Sequence, residues 1–173
     1  MATLGRTALR SVYITGLRNA HALEHQALGV IDRQLDRLEN FPEVAERLRL
    51  HRRETEQQIV RLDEVLDGLK EKPSAVKDMG LNMMGNMAAL GHAMAEDEIL
   101  KNAFANCALE NFEIASYKSL LIMADESGEP AGMTALQQSL GEEQAMAQWC
   151  DESIELITRR YLELHLDPSA SSH

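Results

Sequence analysis

Four stretches of the chain repeat apolar residues at alternating steps of three and four, and each repeat carries glutamate on or beside its stripe. The first reads Ile14, Leu17, His21, Glu24, Leu28, Ile31, Leu35, Leu38. The second sets Leu48, Ile59, Leu62, Leu66 and Leu69 on one face, with His51, Glu54 and Gln58 one step around it. The third runs Leu100, Ala103, Cys107, Glu110, Ile114, Tyr117, Leu121, and the fourth Leu136, Leu140, Glu143, Ala147, Cys150, Ile154, Ile157, Tyr161. A period near 3.6 sustained this long specifies amphipathic helices, and four apolar stripes are most simply buried against one another. The expected fold is all-α, a four-helix bundle.

Stop signals divide the stretches. "ENFPEV" breaks the first from the second (42–69), with Pro42 in the first-turn position where a missing N–H costs nothing. "DESGEP", with Gly128 and Pro130, separates the third (97–124) from the fourth (131–164). The closing "DPSASSH" reads as a frayed tail, so a single domain over 1–165 and a tail over 166–173 are expected. Residues 71–96 differ from the rest. They hold Pro73, Gly80, Gly85, Gly91 and the methionines Met79, Met83, Met84, Met87 and Met94. This composition suits a long crossover containing a short amphipathic helix, which a bundle needs if its second and third helices run parallel. A plain up-down bundle turning near residue 82 fits the same pattern. The methionines suit adaptable packing of the crossover or of a dimer surface.

A chain of 173 residues is long enough for one sizeable core. Its net charge of −11 opposes binding to nucleic acid or to an anionic membrane, both of which attract Lys and Arg clusters. No apolar run reaches the ~18 residues of a membrane span, and "MATLGRTALR" lacks the apolar centre of a secretory signal. A cytoplasmic protein is expected. Cys107 and Cys150 are too few for a disulfide framework and read as small buried thiols.

The stretch "LENFEIASY" poses the functional question. Leu109, Phe112 and Ile114 look like a buried stripe, yet Glu110 and Glu113 sit among them. In a helical hairpin, residues equidistant from the turn lie at equal depth. Glu24 and Glu54 are symmetric about residue 39, at the edge of "ENFP"; Glu113 and Glu143 are symmetric about residue 128, inside "DESGEP". The pair Glu110 and Glu143 also centres inside that turn. The same thirty-residue interval separates both pairs, which hints at a repeated hairpin. Buried carboxylates are costly without cations, and no Lys or Arg is evident at this depth; Arg52 and Arg53 point away from Glu54 because neighbours on a helix do not share a face. A metal pair would compensate Glu24, Glu54, Glu110, Glu113 and Glu143, with His51 or His21 adding nitrogen. His25 falls off the seam. Tyr117, two turns beyond Glu110, is placed to bond a ligand carboxylate.

Several of these pieces resemble the YciE/YciF family of bacterial stress-response proteins, within the ferritin-like superfamily: "LEHQAL", "HRRETEQQIVRL", "ENFEIASY" and "LQQSLGEEQA", spread over residues 7–160. The resemblance implies an up-down-down-up ferritin-like bundle, a homodimer, and a dinuclear iron (or manganese) site, with oxidoreductase chemistry an expectation of the wider superfamily. It also favours the crossover over the tight turn. One departure stands out. Ferritin-like di-iron sites carry Glu-x-x-His on two helices, whereas three residues after Glu54 stands Gln57 and three after Glu143 stands Met146. His51, one turn before Glu54, is the available nitrogen, and so oxygen-rich a set holds metal less tightly than one with two histidines. The competing expectation is a non-catalytic dimeric interaction protein that has kept the bundle and lost the metal.

Overall fold

In the computed structural model, which describes residues 2–73 and 97–166, the elements are α1 (Ala2–Leu35), α2 (Pro42–Gly68), α3 (Glu98–Ser127), a 3-10 turn (Pro130–Gly132) and α4 (Met133–Leu166). No strand occurs among the described residues.

Side-chain contacts fix the direction of every helix. Along α1 and the turn after it Arg37, Gln34, Glu24 and Arg10 meet Glu98, Asn106, Tyr117 and, just past α3, Glu129, so α1 and α3 are antiparallel. Arg52 with Asp32 (2.7 Å) and His21 with Asp63 (3.1 Å) make α2 antiparallel to α1. Gln58 with Glu143 and Arg61 with Ser139 make α4 antiparallel to α2. The second and third helices are therefore parallel, the order is up-down-down-up, and this is a ferritin-like four-helix bundle. Because α2 ends and α3 begins at opposite ends, the tight turn of a plain up-down bundle is excluded. The expected crossover helix and its methionines lie outside the described residues.

Two apolar clusters fill the bundle's ends. Tyr13, Leu17, Leu62, Leu66, Leu120 and Leu136 pack one end; Ile31, Leu38, Phe41, Leu48, Met146 and Ile157 pack the other. Gly16 lets α1 press against α3, since a Cβ there would meet Leu120 Cδ2 at 2.9 Å. The α3–α4 hairpin turns on Gly128, whose φ of 74° an L side chain rarely adopts. There the Glu129 N–H donates to the Ala124 carbonyl and the Gly128 N–H to the Asp125 carbonyl, closing the helix end. Lys70 closes α2 with the same pair of bonds but does so as a non-glycine residue at φ 59°.

Two seams are rotated from the expected ones. On α3 the buried line is Ala103, Asn106, Glu110, Glu113, Tyr117, Leu120 and Ala124. Cys107, Ile114 and Leu121 become half-buried flanks, and Phe112 is 48% exposed rather than buried. The centre of α3 must face α1 and α4 together, which points its polar line inward. On α2 the inner line is Leu48, His51, Thr55, Gln58, Ile59 and Leu62, leaving Glu54 to one side.

Candidate metal centre

Between the two apolar clusters lies a layer of acid. Glu24, Glu110, Glu113 and Glu143 are at most 3% exposed, and His51 is 1% exposed. Their helices deliver them for different reasons. Glu24 stands on the α1 stripe between Leu17 and Ile31; Glu110 and Glu113 share the inner line of α3; Glu143 follows Leu136 and Ser139 on α4. His51 reaches inward from α2 one turn beyond Leu48. Ligand atoms of His51, Glu110 and Glu143 come within 4.8 Å of one another.

Hydrogen bonding leaves this layer unfinished. Tyr117 donates to Glu24 Oε1 at 2.6 Å, and Gln58 donates to Glu143 Oε1. His51 Nε2 lies 3.3 Å from Glu110 Oε2 and 3.9 Å from Glu143 Oε2; the first is an ion-pair distance off the hydrogen-bond line, so that oxygen still lacks a proper donor. Five buried carboxylate oxygens have no hydrogen-bond partner among the described residues: Glu24 Oε2, Glu110 Oε2, both oxygens of Glu113, and Glu143 Oε2. Unpartnered buried polar atoms are rare because each forfeits its hydration. Five together, from four helical glutamates around one imidazole, fit a cationic guest.

The protonation pattern has the same cause. Burial pushes the Glu24 carboxyl up to about 7, against the hydrogen bond from Tyr117. Burial, then the charges of Glu24 and Glu110, push Glu143 up to about 10. Glu113 is raised well above the usual carboxylate range by burial and by Glu24, Glu143 and Glu110 crowding it. Burial disfavours charge on His51, but the neighbouring Glu110 and Glu54 carboxylates outweigh it and hold the imidazolium up to about 10. Tyr117, raised by burial and by Glu24, stays a proton donor. Without a metal, protons and one imidazolium neutralise the layer.

Of the six candidate ligands, the structure brings Glu24, His51, Glu110, Glu113 and Glu143 together and sets Glu54 on the rim. Its side chain is 22% exposed, with Oε2 held by Arg47 at 3.0 Å and by His51 Nδ1 at 3.0 Å. The bond to His51, with help from Arg47, pulls its pKa down. A carboxylate on the far nitrogen of an imidazole fixes the ring so that Nε2 faces the other acids, the arrangement usual behind a metal-bound histidine. His21 is tied to Asp63 instead, and His25 is exposed. Cys150 is buried and Cys107 half-buried; both are free.

Sequence reasoning missed Arg47, Arg61, Ser139 and Glu142, which surround the centre. Arg61 pairs with Glu142 at 2.7 Å and donates to Ser139 Oγ at 2.6 Å. Both arginines serve outer carboxylates and leave His51 as the inner ones' cation among the described residues. Ser139 had a legible signal, since it sits four residues before Glu143; the arginines had none, as each reaches across a groove that only the packed helices create.

The chain is similar to several known structures. It superposes on a protein of Xanthomonas campestris pv. campestris with a TM-score of 0.79 and 27% identity, covering 92% of this chain and 99% of that one. The E. coli stress protein YciF gives 0.71 and 23%, covering 87% and 97%. A Desulfovibrio desulfuricans bacterioferritin, whose diiron site was studied in different catalytic states, gives 0.72 and 18%, covering 89% and 84%, a likeness of fold. No described helix is long and apolar enough to cross a membrane. The family described as a domain of unknown function, DUF892, matches residues 8–163, so the chain belongs to that family and shares the ferritin-like fold of YciF.

Proposed function

We propose that this is a ferritin-like metal-binding protein that holds two metal ions, iron or manganese, in the acidic layer. Glu24, Glu110, Glu113 and Glu143 supply oxygen, His51 supplies nitrogen, and Glu54 orients the imidazole from the rim. Five unpartnered buried carboxylate oxygens carry the reading. Carboxylate with imidazole suits iron and manganese better than soft-metal chemistry, and iron would supply redox chemistry there. The bundle excludes water and fixes the ligands, and Tyr117 keeps Glu24 in place. A stress or metal-homeostasis role follows the likeness to YciF, a stress protein.

The raised carboxyl groups favour a second reading, a non-catalytic homodimer whose core is neutralised by protons. An uncharged groove of about 480 Å³ between α1 and α3, lined by Gly16, Leu23, Phe112, Leu120 and Met123 among others, gives a second copy an apolar face on an otherwise acidic chain.

Metal analysis of protein expressed with iron or manganese, with anomalous scattering at the iron edge, separates the two. Stoichiometric metal within the layer supports the first. Protein that stays metal-free under both supplies leaves the second.

A further inference from the structure

Of the four seams between neighbouring helices, that of α2 and α4 is packed most loosely. Along it runs a cleft of about 670 Å³, lined by Arg53, Glu54, Gln57, Arg61, Gln138 and Glu142 among others. On the α1–α3 side Gln34 and Asn106 exchange amide hydrogen bonds of 2.9 Å and Tyr117 bonds Glu24, and the groove there is lined by no carboxylate.

One buried side chain bonds both the cleft and the acidic layer. Gln58 is fully buried, and its Nε2 donates both to Glu142 Oε2 (3.1 Å), which belongs to the cleft, and to Glu143 Oε1, which belongs to the layer. Its own Oε1 is buried without a partner among the described residues, a neutral oxygen acceptor on the amide that bridges the two acids. Of the cleft's carboxylates Glu54, Glu64 and Glu142, Glu54 is bonded to His51 Nδ1 and so touches the layer from the same side. Arg61 lies across the opening, with both terminal nitrogens on Glu142.

Resting on the metal-centre reading, we propose that this cleft is the way in: cations are captured between Glu54 and Glu142 and pass Gln58 to Glu143, with Arg61 as the competing cation that holds the opening shut. Arg61 holds both oxygens of Glu142, so an incoming ion must displace it. Rotation of the Gln58 amide then presents Oε1 to the ion between one carboxylate and the next. Glu142 and Arg61 act on the rate of filling. Neither is a ligand in the filled centre, so they leave capacity unchanged.

The test mixes metal-free full-length protein with Mn²⁺ or, anaerobically, Fe²⁺, quenches with chelator at intervals, and measures the metal retained. Glu142→Gln is expected to fill about ten-fold more slowly, and Arg61→Gln several-fold faster, since a carboxylate-lined opening raises local cation concentration by at least that factor. Both should reach the wild-type stoichiometry. Arg52→Gln, on the α1–α2 side, should fill at the wild-type rate. An unchanged rate in either cleft variant, with metal still bound at the end, overturns the route and leaves the metal centre standing. A wild-type protein that binds no metal overturns the centre, and the route with it.

Discussion

The two helical hairpins carry their glutamates at the same sequence interval and use them differently. The α3–α4 hairpin turns Glu110, Glu113 and Glu143 into the core, with Glu113 and Glu143 symmetric about Gly128. The α1–α2 hairpin delivers one carboxylate, Glu24, and one imidazole, His51, and leaves Glu54 at the rim. Its cross-helix pairs, His21 with Asp63 and Asp32 with Arg52, centre on Pro42 and not on residue 39. Turns between Leu35 and Pro42, with Leu38 and Phe41 buried, lengthen the α1 side. One hairpin thus concentrates carboxyl groups, and the other supplies the imidazole beside them. A shared interval places residues at comparable height; the rotation of each helix decides what enters the core.

The largest break in that contrast comes from α4. Glu143→Ala should abolish metal binding, while Glu54→Ala on α2 should retain it at reduced affinity; metal analysis and calorimetric titration distinguish loss from weakening. Equal loss in both would erase the asymmetry of the hairpins.

pH gives the next effect. Glu24, Glu113 and Glu143 have folded pKa values above the unfolded one, so the folded chain binds more protons between the two, and stability falls as pH rises through that window. His51, raised to about 10, acts with the same sign above its unfolded value. Metal-free protein should be most stable near pH 5 and weaken towards pH 9, with Glu24 alone contributing about 3 kcal/mol at ~1.4 kcal/mol per pKa unit. Bound metal should reverse the trend, because ligands must lose protons to bind it. Thermal melts across pH, with and without Mn²⁺, read both slopes; a flat profile for metal-free protein contradicts the buried acids.

Glu54 sharpens the comparison further. Removing the partner of a metal-bound imidazole typically costs about 10- to 100-fold in affinity, and Glu54→Gln should recover part of that loss by keeping a hydrogen bond to His51. No difference between Gln and Ala would place Glu54 outside the histidine's support.

Smallest are the helix ends. Gly128→Ala should destabilise the α3–α4 hairpin by about 1 kcal/mol, whereas Lys70→Gly should stabilise the end of α2 by at most about that amount, since both positions hold a left-handed backbone. Urea denaturation midpoints measure both.

The amino-acid pattern alone determined four helices, their breaks at Pro42 and Gly128, and the presence of acid on every stripe, because helical period and turn chemistry are local properties. Residues remote in the chain decided the rest. Asn106 and Glu113 entered the α3 core where Cys107 and Ile114 had the better hydrophobicity, since the middle of α3 faces two helices at once. Glu54 and His51 lie one turn apart, and only the roll of α2 against α1 and α4 put the imidazole inside and the carboxylate with Arg47. The parallel course of α2 and α3 likewise came from contacts such as Tyr117 with Glu24, which no local pattern encodes. Helical phase is written in short range; which phase faces inward is settled by the sum of all packed neighbours.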